Sequence, residues 1–342
     1  IRTLRVPGRS SVEQYREARP GTREMAVALG ADYLLEGSAR IVSGAVRITV
    51  QLIDGRSDQH IWTEDYDRAF SVEDVIAIQS EVAETVAEEL RAVITPAEAA
   101  RISAVPTESP EAFVLYHRAR YRWDLRTEED VRAAMGFYQE AIRLDSRFAA
   151  AYAGLADAFL VLGNWGWAHP RDSYPPAISA AETALELDSM EANTHATLGG
   201  LYLWYKRDWE ASEAMFQRAI ELDPDHAYAH YWYSALLSAV GRHEEAIRMA
   251  RQAAEVDPLA APIVYGIGRS LFIARNFDEA ETEARLALEH HPEYGNLHLL
   301  LCNVLIASDK LAAAEDACVA RNGIEGTESS LSSACLLYTS DA

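Results

Sequence analysis

The chain has 342 residues, enough for about two domains at roughly 100–200 residues each, and its 49% hydrophobic and 25% charged content is ordinary for a globular protein. Its 31 Lys and Arg against 53 Asp and Glu leave a net charge of −22, which repels phosphate backbones and argues against nucleic-acid binding by this segment. Three cysteines without a CxxC exclude a disulfide framework and a thiolate zinc site, and the most apolar stretch, residues 260–274, is interrupted by Arg269 and is too short for a membrane span.

The chain opens on Ile1 with neither an initiator Met nor a signal peptide, so the expectation is an internal fragment. A first helix is predicted from about Arg23 to Leu29, ended by Gly30. Residues 33 to 66 then read as strands. Val46, Ile48, Val50 and Leu52 alternate with Arg47, Thr49 and Gln51, the period-two pattern of a half-buried strand. Ser43-Gly44 marks a hairpin back to Tyr33–Val42, and Asp54-Gly55 turns the chain into a third strand, Gln59–Tyr66. Ser71 and Asp74 cap a long helix whose apolar positions are Val72, Val75, Val82, Val86, Leu90 and Val93, and Thr95-Pro96 is expected to end it. The product is a small α+β domain with helices on an antiparallel sheet. Alternation puts Trp62, Glu64 and Tyr66 on one sheet face and Asp65 and Asp67 on the other, which splits this acidic run and favours a solvated sheet edge over a ligand site.

Leu29-Gly-Ala-Asp-Tyr-Leu-Leu-Glu-Gly-Ser38, Val46-Arg-Ile-Thr-Val-Gln-Leu-Ile-Asp54 and His60-Ile-Trp-Thr-Glu-Asp-Tyr-Asp67 together resemble the TolB-like amino-terminal domain of bacterial multidomain regulators. The resemblance covers about residues 1–94. It implies a further strand and helix before Ile1, whose absence here would leave an exposed sheet edge. Residues 95–110, with Pro96, Pro106 and Pro110, read as a linker.

From Glu111 the texture is helical and self-similar. A block ending Ala-Ile-x-Leu-Asp recurs at Asp145, Asp188, Asp223 and Asp257, with Ala287-Leu-Glu-His-His291 as a weaker fifth copy. The spacings are 43, 35, 34 and 34 residues, and Pro224, Pro258 and Pro292 follow the later copies. A 34-residue helix–turn–helix period identifies tetratricopeptide repeats, about six units over residues 111–322. Small residues at Gly200, Ala246, Ala253, Gly268, Ala280, Ala287 and Ala314 fall where paired helices touch. The excess of the first interval maps to Gly166–Pro176, whose three prolines predict a loop protruding from the stack, read as a neutral insertion before a partner contact.

Such an array winds into an all-α superhelix whose concave groove is lined by the first helix of each pair. The repeat register points Asp157, Trp204, Tyr205, Tyr228, Tyr231, Tyr265, Arg269, Phe272, Asn296 and Asn303 at that groove. The aromatics give contact area at low entropy cost, and Arg269, Asn296 and Asn303 add hydrogen-bonding ends, so the expected partner is a protein or peptide. Each aromatic has a second reading as inter-helix core, with Tyr231, Tyr265 and Arg269 favoured for the groove.

No catalytic constellation accompanies the repeats. His243-Glu-Glu-Ala246 begins like a zincin motif but has Ile247 where the second His belongs; Gly266-Ile-Gly268 lacks a preceding strand and a third glycine. Cys302 and Cys318 fall on core positions of the sixth unit and are expected as free buried thiols. No cofactor or metal is expected. Residues 323–342 read as a disordered tail, and Cys335–Ala342 resemble a translated sequencing adaptor rather than native protein. The expectation is a non-catalytic, cytoplasmic rather than periplasmic, interaction scaffold. The TolB-like resemblance implies an output domain upstream of residue 1, such as a nucleotide cyclase, a winged-helix DNA-binding domain or a kinase; an envelope assembly factor is the third reading.

Overall fold

A computed structural model describes residues 20–325 apart from 43, 44, 70 and 126, together with Leu4, Val6, Val12 and Tyr15. The Ser43-Gly44 turn and the 335–342 tail lie outside the described residues. Those up to His226 form one unit and those from Ala227 a second, and each is taken by itself.

In the first unit, helix α1 (Thr22–Leu29) stops at Gly30, whose φ of 62° lets the Ala31 N–H return to the Ala26 carbonyl at 2.9 Å. Strands β1 (Tyr33–Val42), β2 (Ala45–Asp54) and β3 (Gln59–Ala69) follow as an antiparallel sheet in that order. One face buries Val50 and Tyr66 against Ile78 of helix α2 (Val72–Glu89), with Ile48, Trp62 and Val82 packed alongside. On the other face Arg47 pairs with Asp67 at 2.7 Å, Thr49 donates to Asp65 at 2.5 Å and Gln51 to Glu36 at 2.9 Å. The acidic run is therefore divided as alternation requires, and its outer carboxylates are occupied by neighbouring strands. Leu52 faces Trp62 but Ile53 faces His60, so Ile61 is an extra residue in β3; Leu52 and Ile53 are both buried.

The helix after the sheet ends earlier than its apolar pattern suggests. Arg91 takes a φ of 54°, and Val93 is 68% exposed. Thr95-Pro96 starts a helix instead of ending one: Thr95 and Glu98 form a reciprocal capping box, and Pro96 opens α3 (Pro96–Ile102), where a missing N–H costs nothing. The expected linker at 95–110 is thus partly helical, tied to α2 by the Ser80 hydroxyl donating to the Ile102 carbonyl at 3.2 Å. Thr107, buried, donates to Asp145 at 2.5 Å, and Ser109 caps the helix that follows.

That helix begins six pairs among the described residues. In the first unit they are α4 (Pro110–Asp124) with α5 (Glu128–Leu144), α6 (Ala149–Asn164) with α7 (Pro170–Leu187), and α8 (Ala192–Leu201) with α9 (Trp209–Leu222). In the second they are α10 (Ala227–Ala239) with α11 (His243–Val256), α12 (Ala261–Ile273) with α13 (Phe277–His290), and α14 (Gly295–Ala307) with α15 (Leu311–Glu325). The repeated Ala-x-x-x-Asp explains itself: Ala141, Ala184, Ala219 and Ala253 are at most 1% exposed, and the N–H of each following Asp closes the last helical turn on that alanine's carbonyl at 2.8–3.0 Å. The Asp145, Asp188 and Asp223 carboxylates then accept the N–H two residues on, turning the chain toward the next pair.

The insertion differs from its expectation. Relative to the α10/α11 pair, the nine extra residues are spread as three in α6, four in α7 and two in the connection Trp165–His169. Pro170 is the first residue of α7, and Pro175 and Pro176 sit inside the helix, so the proline cluster lengthens a helix rather than forming a protruding loop. Packing overrides the lost N–H donors: Ser173, Tyr174 and Ala177 are buried, Tyr174 lies against Gly163, and its hydroxyl donates to Asn164 at 2.6 Å. A second correction concerns Cys302 and Cys318. They are not free thiols but a disulfide joining α14 to α15, with Cα atoms 5.3 Å apart. A cysteine count with no short Cys-to-Cys spacing does not reveal a pair that only antiparallel helix packing brings together.

Both features bear on stability. Deleting residues 166–176 should abolish the cooperative unfolding of the first unit, and Tyr174→Ala alone should cost about 3–5 kcal/mol in urea denaturation; a loss below about 1 kcal/mol would return the segment to a dispensable loop. Reduction, or replacing both Cys302 and Cys318 by Ala, should lower stability by on the order of 3 kcal/mol for a cross-link closing a loop of this length. Unchanged melting with and without reductant would show the link to be immaterial.

Candidate peptide-binding site

The ten groove candidates divide between the two units. In the first, Asp157 is buried between helices: Thr197 donates to one carboxylate oxygen and Asn193 to the other, the latter at 2.6 Å. Burial pushes its carboxyl up from 3.8 to about 6, against those hydrogen bonds, which favour the charged form. This is a contact between α6 and α8 rather than a ligand group. Trp204 and Tyr205 lie on a π-helical turn, Tyr202–Lys206, that continues α8. Trp204 covers Gly200, and Tyr205 meets the ring of Tyr174 edge-on at 5.5 Å, so both are engaged by their own neighbours.

In the second unit several of the candidates are brought together. Tyr231 on α10 and Tyr265 on α12 stand 34 residues apart, one repeat, and so occupy equivalent places on successive first helices. Arg269, one turn beyond Tyr265, lies over both rings, its guanidinium carbon 5.0 Å from the Tyr231 centroid and 5.7 Å from that of Tyr265. The approach of α10 to α12 depends on Gly266, because a Cβ there would fall 2.7 Å from Cδ2 of Tyr231. Tyr228 joins Tyr231 edge-on at 6.2 Å and Trp232 at 5.7 Å. Asn296, at the start of α14, reaches the cluster through a residue the sequence reading missed: its Nδ2 donates to the Tyr294 hydroxyl at 3.2 Å, and Tyr294 meets Tyr265 at 6.2 Å. Tyr294 precedes the first turn of its helix, where helical periodicity carries no information; only its position two residues after Pro292 hints at a role.

Phe272 is not brought to this cluster. It packs on Phe277 of α13 at 5.8 Å, within the core that holds Leu271 and Leu300. Asn303 is half-buried two turns along α14 from Asn296. Gly268 serves packing, since a Cβ there would meet Leu300 at 2.7 Å.

The electrostatics are those of half-buried aromatic rings around a cation. Burial raises the Tyr265 hydroxyl, partly offset by the positive Arg269, and pushes Tyr294 up to about 12. The Tyr265 and Tyr294 hydroxyls are therefore neutral at physiological pH. Arg269 Nε and Nη2 are buried and have no hydrogen-bond partner among the described residues. Among those residues, no group of three or more His, Cys, Asp or Glu side chains could hold a metal ion, and no helix is long and apolar enough to cross a membrane.

Helix pairs at a 34-residue period, closed by the Ala-to-Asp contact, define a tetratricopeptide array; the chain carries tetratricopeptide repeats. Two tetratricopeptide repeat models match it, over residues 215–248 and 235–295. It is similar to the Rhizobium meliloti (strain 1021) protein described as "Putative adenylate cyclase 3", 34% identical over 213 residues, which are 62% of this chain and 36% of that protein. The chain thus spans about a third of the length of this curated relative. Among solved structures it resembles PilW, a type IV pilus biogenesis factor, with a TM-score of 0.54 at 15% identity, covering 66% of this chain and 98% of PilW. The tetratricopeptide protein TTC0263 of Thermus thermophilus gives a TM-score of 0.48 at 18% identity, over 56% of this chain and 99% of that one. At such identity these structures speak to fold alone.

The titration of Asp157 is open to test. The folded state holds its proton up to about pH 6 while the unfolded chain releases it at 3.8, so the stabilisation is full below pH 3.8 and is lost as pH rises through 6. Urea midpoints measured from pH 4 to 7 should diverge between the wild type and Asp157→Asn by up to one proton's worth of slope; parallel profiles would mean the carboxyl titrates normally.

Proposed function

We propose that this chain is a non-catalytic interaction scaffold whose repeats bind a peptide or protein through the Tyr228–Tyr231–Tyr265–Arg269–Asn296 cluster, within a larger bacterial regulatory protein. The observation that carries the reading is the cluster itself: tyrosines from two successive first helices and an asparagine from the third, around an arginine whose Nε and Nη2 are unpartnered among the described residues, on the surface that tetratricopeptide arrays use for recognition. Phe272 and Asn303 belong to the proposal as further groove-register positions of the second unit, and Trp204 and Tyr205 as those of the first. Residues 1–94 are proposed as a TolB-like domain, supported by the three motifs and by the β1-β2-β3 sheet with α2 on one face.

The regulatory context rests on the rhizobial relative. We read this chain as the sensory half of an adenylate cyclase, with catalysis carried by a part of the protein it does not include. A winged-helix transcription regulator is the other output compatible with the TolB-like resemblance.

The scaffold reading predicts that a peptide selected from an unbiased array will bind about 1–2 kcal/mol or more weakly to Tyr231→Ala and to Tyr265→Ala in calorimetry, with little change in salt dependence. Indifference to both substitutions, with affinity falling steeply in salt, would move the binding surface elsewhere. For the cyclase context, the complete reading frame should form cyclic AMP from ATP at a rate that these same substitutions alter.

A further inference from the structure

We propose that the groove between helix α2 and the first repeat is a site for a small apolar molecule carrying a single carboxylate, with Arg118 as its anchor. The groove lies wholly in the first unit, so this goes beyond the peptide-binding reading and does not rest on it. Along α4, Val114, Arg118 and Arg122 follow one another at intervals of four, with Tyr121 seven after Val114. One helical face therefore presents an aliphatic, an aromatic and two cationic side chains. An isolated helix gains nothing from this, because arginines four apart repel. The positions three and four away from Arg118 are Val114, Leu115, Tyr121 and Arg122, with no carboxylate among them.

Tertiary packing gives that face a counterpart. Phe113 of α4 is buried with Val72 and Ile76 of α2, and Val75 packs alongside. Beside this contact, an open groove of about 740 Å³ is lined by Val75 and Gln79 from α2, by the α4 face, and by Phe137 from α5. That volume falls within the range of roughly 300–1,000 Å³ typical of small-molecule sites, which also have mostly apolar walls and a few polar groups. The charge in the groove is one-sided. Arg122 is taken up by Asp130 at 2.6 Å. Arg118 is exposed and has no hydrogen bond or ion pair among the described residues. His117 adds no charge at physiological pH: burial, with the positive Arg120 as a lesser cause, lowers it from 6.5, and its ring lies edge-on to Phe113 at 4.4 Å. No Asp or Glu lines the groove among the described residues, in a chain that has 53 of them. One uncompensated guanidinium in an apolar groove matches one carboxylate on an apolar body, since its two-donor fork fits two oxygens. A second anionic group would meet the field of a chain at −22 without a cation of its own. An alkyl acid and an aromatic acid share this chemistry, and the experiment separates them.

Four probes would be titrated onto the full chain in calorimetry, each below the concentration at which it forms micelles: decanoate, 2-naphthoate, decanol and decyltrimethylammonium. The proposal expects at least one carboxylate to bind about tenfold or more tighter than decanol and decyltrimethylammonium. Preference for decanoate assigns an alkyl ligand, and preference for 2-naphthoate an aromatic one. Arg118→Gln, a change at an exposed position, should weaken carboxylate binding about tenfold or more. On the wild type, the methyl resonances of Val75 and Val114 should move when the carboxylate is added, a readout that needs no variant. Silence of both carboxylates, equal binding of decanol or the ammonium, unmoved methyl resonances, or undiminished binding in Arg118→Gln would each overturn the site. None of these outcomes bears on the tyrosine cluster of the second unit, whose own peptide measurement decides the other reading.

Discussion

The contact on which the array depends is the alanine methyl buried near the end of the second helix in each of the first four pairs, four residues before the aspartate that turns the chain. A larger side chain at Ala141, Ala184, Ala219 or Ala253 would separate helices that now meet with no exposed surface, and these cores have no slack in which to absorb it. The aspartate's backbone N–H closes the helix on that same alanine, so one short motif sets both the packing distance and the exit direction. Repetition of this local geometry makes the period 34 residues, and a period in sequence becomes a period in space.

The site is a product of that translation. Tyr231 and Tyr265 occupy the same repeat position, and stacking of successive first helices brings both rings to Arg269. Gly266 then lets the Tyr231 ring lie against α12. None of these residues is unusual alone. Sharing one face brings the rings and the guanidinium together, with Nε and Nη2 of Arg269 unpartnered among the described residues. Asp157, in the first unit, shows the alternative outcome: a polar residue at a groove-facing register position that neighbouring helices have already satisfied with Thr197 and Asn193.

The amino-terminal sheet obeys a different logic of the same kind. Alternation along β2 and β3 sends one set of side chains to α2 and the other to a polar face where Arg47, Thr49 and Gln51 engage the carboxylates of neighbouring strands. The outer carboxylates of the acidic run, Asp65 and Asp67, are thereby engaged in cross-strand pairing on an exposed face, as the solvated-edge reading expects.

The sequence by itself determined the elements with strong periodicity: the three strands, the helix ended by Gly30, the 34-residue pairs and their small contact residues, because each rests on neighbours within a turn or a pleat. It also singled out Tyr231, Tyr265 and Arg269, since the repeat register carries over to position. Tertiary structure alone decided the rest. Prolines 170, 175 and 176 became helix because burial of Tyr174 outweighs two missing backbone donors. Pro96 is the exception, since the Thr95–Glu98 box that makes it begin a helix is local and was legible in the sequence. Cys302 met Cys318, Phe272 turned to Phe277 rather than to Arg269, and Tyr294 entered the site from outside its helix. These depend on which faces of separate helices come together, and local periodicity is silent on a contact made between elements.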